Sequence, residues 1–294
     1  MINIDHYLGQ KRLDINRALK EYLAFSGTGT VIRAMRYSLE AGGKRLRPVL
    51  VLATAEAIQG ESSDLLPLAC AYEMVHTYSL IHDDLPAMDD SDLRRGKVTC
   101  HLEHGEATAI LAGDALLTLA YEITADYGLK HNCPDKALLI IKNLSVSAGA
   151  AGMIGGQALD LQGEKEVLSL EDTEKMAALK TGALIRSAVY CGAVAAGADK
   201  QELEALDRYA LAIGTAFQVV DDILDYESSS DRLGKPAGAD QEKSKTTFPA
   251  VMGLKQAKKR AELLYEEAIE ALQDLGKPTG LLEALARKLV YRIN

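Results

Sequence analysis

Cysteine is sparse in this chain and never paired. Cys70, Cys100, Cys133 and Cys191 stand far apart with no CxxC spacing. That argues against a disulfide frame or a zinc site and for reduced, mostly buried thiols in a reducing compartment. Basic charge is also short, with 33 Lys and Arg against 42 Asp and Glu, a formal net charge of −9. No basic stripe with interleaved aromatics occurs, so a nucleic-acid partner is not expected. No run of 18 strongly apolar residues free of charge occurs either. The longest uncharged stretch, 143 to 159, is rich in Gly, Ser and Gln, and no membrane span is expected. The N-terminal stretch MINIDHYLGQKRLDINRAL carries charges throughout and no apolar signal core, which points to a cytoplasmic location. Alternating patterns long enough for a sheet are missing, as are repeats and linkers. With 48% hydrophobic residues there is ample material for a core. The pattern predicts an all-α single domain over 1–294, about ten helices around a central cleft.

What is abundant is aspartate, in two places. Residues 80 to 96 read LIHDDLPAMDDSDLRRG, so Asp83, Asp84, Asp89, Asp90 and Asp92 follow an apolar run and precede Arg94 and Arg95. Two carboxylates ~4 Å apart at an effective dielectric of ~20 repel by roughly 4 kcal/mol, so a partly buried cluster needs a cation. The donors are hard oxygens without paired His or Cys, which selects Mg2+, an ion that completes its shell with water and phosphate. The arginines suit phosphate oxygens, which a planar guanidinium grips in bidentate fashion. A second cluster lies in FQVVDDILDY, residues 217 to 226, where Asp221 and Asp225 stand one turn apart on one helical face beside Asp222. In the first cluster Pro86 forbids a regular turn, and a bulge or helix end is needed to bring Asp83 and Asp89 to the same side. Either cluster alone is compatible with a solvated helix end or a structural cation site; two of them in apolar sequence point to a site.

In chain order, helical spacing covers 4–24 and about 30–40, ending at Gly42-Gly43. It resumes from 49 to 81 with a turn at Gly60 to Ser63, then covers 105–128, 135–162, 171–197, 199–226, 248–275 and 279–291. Lys44 and Arg47 sit three apart and can face one ligand. The polar loop 227–247 carries Lys235 and Lys245, and loops that long in a compact chain are usually functional.

The stretches GGKRLRP (42–48), LIHDDLPAMDDSDLRRG (80–96), GGQALDL (155–161), KTGAL (180–184), FQVVDDILD (217–225) and GK (234–235) resemble, in order, the motifs of the trans-prenyl diphosphate synthases. The four residues before the last Asp of the first motif are most similar to bacterial members making a C15 product. The resemblance implies a Mg2+-dependent transfer in which isopentenyl diphosphate is condensed with dimethylallyl and then geranyl diphosphate, giving farnesyl diphosphate and pyrophosphate. It assigns metal binding to Asp83, Asp84, Asp89, Asp221, Asp222 and Asp225. It assigns the isopentenyl diphosphate to Lys44, Arg47, His76 and Arg95. The allylic diphosphate falls to Arg94, Lys180, Lys235 and Lys245, with Gln157 and Asp160 beside it. Thr181 and Gln218 fall near the carbocation, and a homodimer is implied. Tyr78 and Ser79, five and four residues before Asp83, would form the floor that sets chain length. Shorter and longer products, from a geranyl or geranylgeranyl diphosphate synthase, stay open, as do a class I terpene cyclase and a non-catalytic regulatory subunit. Against the last two stand the second Asp triplet and the intact basic set.

Overall fold

The computed structural model describes residues 2–24, 29–163, 169–233 and 247–291. It divides into two compact units, residues 3–142 and 143–294. The first unit contains α1 (Ile4–Tyr22), α2 (Thr30–Glu40), α3 (Leu46–Gln59), a 3-10 turn (Ser63–Leu65), α4 (Leu66–Asp83), α5 (Cys100–His104), α6 (Glu106–Lys130) and most of α7 (Pro134–Ala148). Helix α4 packs against α1, α2, α3 and α6. Its sequence explains this position. LPLACAYEMVHTYSLI offers almost no polar face, and a helix apolar all round belongs in a core. Helix α3 is likewise buried from Arg47 through Ala55.

The second unit contains α8 (Met153–Gly163), α9 (Leu170–Ala177), a π turn (Ala178–Gly182), α10 (Ala183–Ala196), α11 (Lys200–Leu233), α12 (Phe248–Met252), α13 (Leu254–Gln273) and α14 (Gly280–Val290). Helix α11 is its axis, packed on α10, α13, α14 and the π turn. The part of α11 that carries the second aspartate cluster sits in a core of Ala216, Val219, Val220, Ile223, Phe248, Ala257, Ala261 and Leu264. Burial of the larger of these side chains, Val, Ile, Leu and Phe, contributes roughly 1.5–3 kcal/mol each.

The all-α expectation holds, with five corrections of detail, one of them that the loop expected over 227–247 is helical as far as Leu233. The single helix expected over 135–162 is broken between α7 and α8. A Cβ at Gly149 would lie 2.7 Å from the Ser145 carbonyl oxygen and one at Gly152 2.1 Å from that of Ser147, so the chain folds tightly where only glycine fits. The helix expected over 248–275 is split at Gly253, whose φ of +83° no helix accommodates. The helix expected over 171–197 contains the π turn. A small sheet exists where none was expected, pairing β1 (Leu93–Arg94) with β2 (Lys97–Val98). Its two-residue turn has φ +55° at Arg95 and +76° at Gly96, the positive pair that a tight hairpin requires. Two of the described helical segments, Glu106–Lys130 and Pro134–Gly163, are long and apolar enough to cross a membrane by composition alone.

Candidate active site

Helix α4 ends at Asp83 because Pro86 cannot continue it. The chain then curls back on itself. Asp84 N–H donates to the Leu80 carbonyl and Met88 N–H to that of Leu85, and Asp89 N–H reaches the Asp83 carbonyl at 2.9 Å. Asp90 follows with φ +49°. The bulge that the spacing of Asp83 and Asp89 demands is therefore present, with both side chains half-buried. Asp84 takes a different course. It is buried, and Arg94 grips it through Nε at 3.0 Å and through Nη2. One carboxylate expected as a ligand thus belongs to an internal ion pair that fixes the hairpin.

The basic residues gather around His76. Arg95, on the hairpin turn, donates through Nη1 to the Gly42 carbonyl and lies over Gly43, where a Cβ would come within 2.6 Å of the guanidinium. Glycine at 43 thus makes room for an arginine. His76 is held neutral well below its ordinary pKa of 6.5, first by burial and then by the guanidiniums of Arg47, Arg95, Arg45 and Arg94. Arg47 is buried at the start of α3 and Lys44 is exposed in the loop before it. The structure thus places Arg47, His76, Arg94 and Arg95 together. His76 and Asp83 are seven residues apart on α4, two turns along one face and about 10 Å in rise.

A depressed His76 has a consequence for stability. Below about 6.5 the unfolded chain takes up a proton that the folded chain refuses, so stability falls as pH drops. Asp222, raised to about 6, acts with opposite sign, taking up its proton in the folded state first. Comparison of urea midpoints for the parent and His76→Gln between pH 7.5 and 5.5 isolates the histidine. The parent is expected to lose more stability on acidification than the variant.

In the second unit, the π turn carries Lys180 and Thr181. A π turn adds one residue to a helix and such turns cluster at functional sites. Helix α8 closes on it so tightly that a Cβ at Gly156 would lie 2.1 Å from the Lys180 backbone nitrogen. Lys180 Nζ reaches Asp160 Oδ2 at 2.6 Å. Thr181 Oγ1 donates to Gln218 Oε1 at 2.7 Å, and Gln218 Nε2 donates to Asp222 Oδ1 at 2.7 Å. The other oxygen of Asp222 accepts the Phe248 N–H at 3.0 Å. Asp222 is therefore a second expected ligand engaged inside the protein; burial pushes its carboxyl up to about 6. Asp221 is half-buried and Asp225 exposed. Gln157 is buried, and both ends of its amide lack a protein partner. A buried amide without partners is costly, which marks a place for a polar ligand or water.

Tyr78 is buried on α4 with its hydroxyl unpartnered and its ring edge-on to His82. Burial, then Tyr121 and Asp83, push its phenol up to about 12. Ser79 is half-buried and donates to the His76 carbonyl. Lys235 and Lys245 lie outside the described residues. Among the described residues no three His, Cys, Asp or Glu side chains converge as a ready metal cage. Asp83 and Asp89 at the first motif are hard oxygen donors, half-buried and close in the chain, which suits an ion that keeps waters and takes substrate oxygens. The sequence reading missed Arg45 and Glu73, a buried pair at 2.6 Å. A lone Glu inside the apolar run of α4 was the available signal.

A cluster of guanidiniums gathered around His76, on the helix that runs into an aspartate motif, in a mainly helical chain, fits an enzyme class that handles anionic, phosphorylated substrates. A family model described as Polyprenyl synthetase matches residues 29–282, and the chain belongs to that family. It is 48% identical over 284 residues to a farnesyl diphosphate synthase of Escherichia coli, covering 94% of this chain and 95% of that one. It is 43% identical over 297 residues to a chloroplastic geranylgeranyl pyrophosphate synthase of Capsicum annuum, covering 99% and 79%. The crystal structure of an FPP/GFPP synthase from Zymomonas mobilis superposes with a TM-score of 0.87 at 36% identity, covering 98% and 99%. The chain is a prenyltransferase.

Proposed function

We propose that this prenyltransferase condenses isopentenyl diphosphate with dimethylallyl and then geranyl diphosphate, releasing pyrophosphate and giving farnesyl diphosphate. The observation that carries the reading is helix α4, which bears His76 within a group of guanidiniums and Asp83 two turns further on. Lys44, Arg47, His76 and Arg95 bind the isopentenyl diphosphate and hold its double bond in place. Arg94 and Lys180 serve the allylic diphosphate, with Gln157 and Asp160 beside it. Magnesium would be held at each aspartate motif, by Asp83 and Asp89 at the first and by Asp221 and Asp225 at the second, and would neutralise the departing diphosphate. Asp84 and Asp222 stand beside them, engaged by Arg94 and by the Phe248 N–H. Thr181 and Gln218 stand near the cation that ionisation leaves. No side chain placed at the site is an obvious base, and the departing pyrophosphate takes the proton.

The family match crosses both compact units, which supports reading them as one catalytic domain. Exposed leucines on α6 and α7, among them Leu111, Leu129, Leu138 and Leu139, support a homodimer, and the enzyme is assigned to the cytoplasm. Pyrophosphate release that requires both isopentenyl and geranyl diphosphate, and that stops with a chelator, tests the reaction. Release from geranyl diphosphate alone favours a cyclase.

Product length is assigned to Tyr78, buried one helical turn before the metal motif. Tyr78→Ala removes the floor and is expected to shift the main product from C15 to C20 or longer, read by chromatography of the dephosphorylated alcohols. An unchanged C15 product removes Tyr78 from the account.

A further inference from the structure

Arg45 lies in GGKRLRP between the two residues assigned to isopentenyl diphosphate, yet it points into the protein. It is 4% exposed and its partner Glu73 is 1% exposed. Its guanidinium spreads over three helices. Nε donates to Asn16 Oδ1 on α1 at 2.9 Å, Nη1 to Glu73 Oε1 on α4 at 2.6 Å, and Nη2 to the Leu39 carbonyl on α2 at 2.6 Å. Its backbone is left-handed, with φ 52° and ψ 36°, at the very start of α3. A non-glycine residue stays in that conformation only when its surroundings over-determine it. Here the side-chain clamp does so. The reversal it enforces lets exposed Lys44 leave the loop in one direction while Arg47 is buried in the first turn of α3. Glu73, the far end of the clamp, is three residues before His76 on α4 and so on the same face.

We propose that Arg45 and Glu73 are positioning residues for the isopentenyl diphosphate site, fixing the loop of Lys44 and Arg47 in register with the helix that carries His76. The proposal rests on the reading of that site under Proposed function. Neither residue touches substrate; both act through where Lys44, Arg47 and His76 stand.

A stable variant is needed to separate positioning from folding. Removing one member of a buried pair strands the other charge, whereas replacing both by apolar side chains of similar length commonly restores stability. The test compares Arg45→Met, Glu73→Met and the double variant, with melting midpoint, kcat and both KM values as readouts. The single variants are expected to melt far below the parent and the double variant within a few degrees of it. In the double variant KM for isopentenyl diphosphate is expected to rise about tenfold or more, a change of roughly 1.4 kcal/mol or more in binding. KM for the allylic substrate and kcat should stay within about threefold. Arg45→Lys, which keeps the charge but cannot fork to three partners, gives a second stable variant with a smaller rise in the same constant. A double variant or Arg45→Lys that is stable and keeps the parental KM for isopentenyl diphosphate overturns the positioning role alone. Calorimetry of the parent with isopentenyl diphosphate separates the other failure: a parent that neither binds nor elongates it overturns the site reading and this proposal with it.

Discussion

Asp221→Asn is expected to lower turnover by about 10²- to 10³-fold, the loss typical when one group stabilising a departing anion is removed. The melting midpoint should stay near that of the parent. Asp221 is half-buried, next to the buried Asp222. Asp222 holds Gln218 and the Phe248 N–H together, so its loss disturbs packing. Asp221 lies one turn from Asp225 on the same face of α11. Single-turnover ionisation of the allylic substrate, measured with circular dichroism melts of both proteins, checks this. Turnover within tenfold of the parent at saturating magnesium would contradict the role given to Asp221.

Gly156→Ala carries the second large effect. Its new methyl group would stand 2.1 Å from the Lys180 nitrogen and 2.5 Å from the Lys180 Cα. Backbone cannot swing aside as a side-chain tip does, so α8 and the π turn must part. Overpacking of this kind costs about 1–3 kcal/mol or more, and here the displaced atoms carry Lys180 and Thr181. We expect lower stability in urea together with a loss of turnover of at least about tenfold, the rate cost of ~1.4 kcal/mol of misplaced transition-state contact. Gly9→Ala in α1 is the control. Nothing lies within 4 Å of its added Cβ, and alanine there should stabilise the helix by about 0.5–1 kcal/mol. Parental stability and activity in Gly156→Ala would show that the approach of α8 to the π turn is slack.

The sequence reading succeeded where periodicity and charge act locally. Helix α2 was legible, expected at about 30–40 and found at Thr30–Glu40, since its apolar spacing and the glycines after it both mark the end. The curl that carries the first aspartate cluster was legible because Pro86 cannot continue a helix. The partners of those carboxylates were not. Asp84 meets Arg94 only because the curl after Asp83 turns the chain back on itself, and Asp222 meets Phe248 across 26 residues. Spacing along the chain says nothing of either pairing. The break between α7 and α8 escaped because alanine and glycine together read as helix interior; only the crowding of the Ser145 and Ser147 carbonyls shows why the glycines are needed. The π turn at Lys180 was foreshadowed by Gly182, which weakens a helix, but its extra residue depends on packing against Gly156 and Gly214.

The central claim is elongation of an allylic diphosphate, with helix α4 serving both the isopentenyl site and the metal motif. Its most direct test is incubation with dimethylallyl diphosphate, labelled isopentenyl diphosphate and magnesium, with a chelator control, followed by sizing of the dephosphorylated products. The account predicts a metal-dependent C15 alcohol. A C10 or C20 product would keep the chemistry and contradict the floor at Tyr78, and the absence of any elongated product would contradict the claim itself.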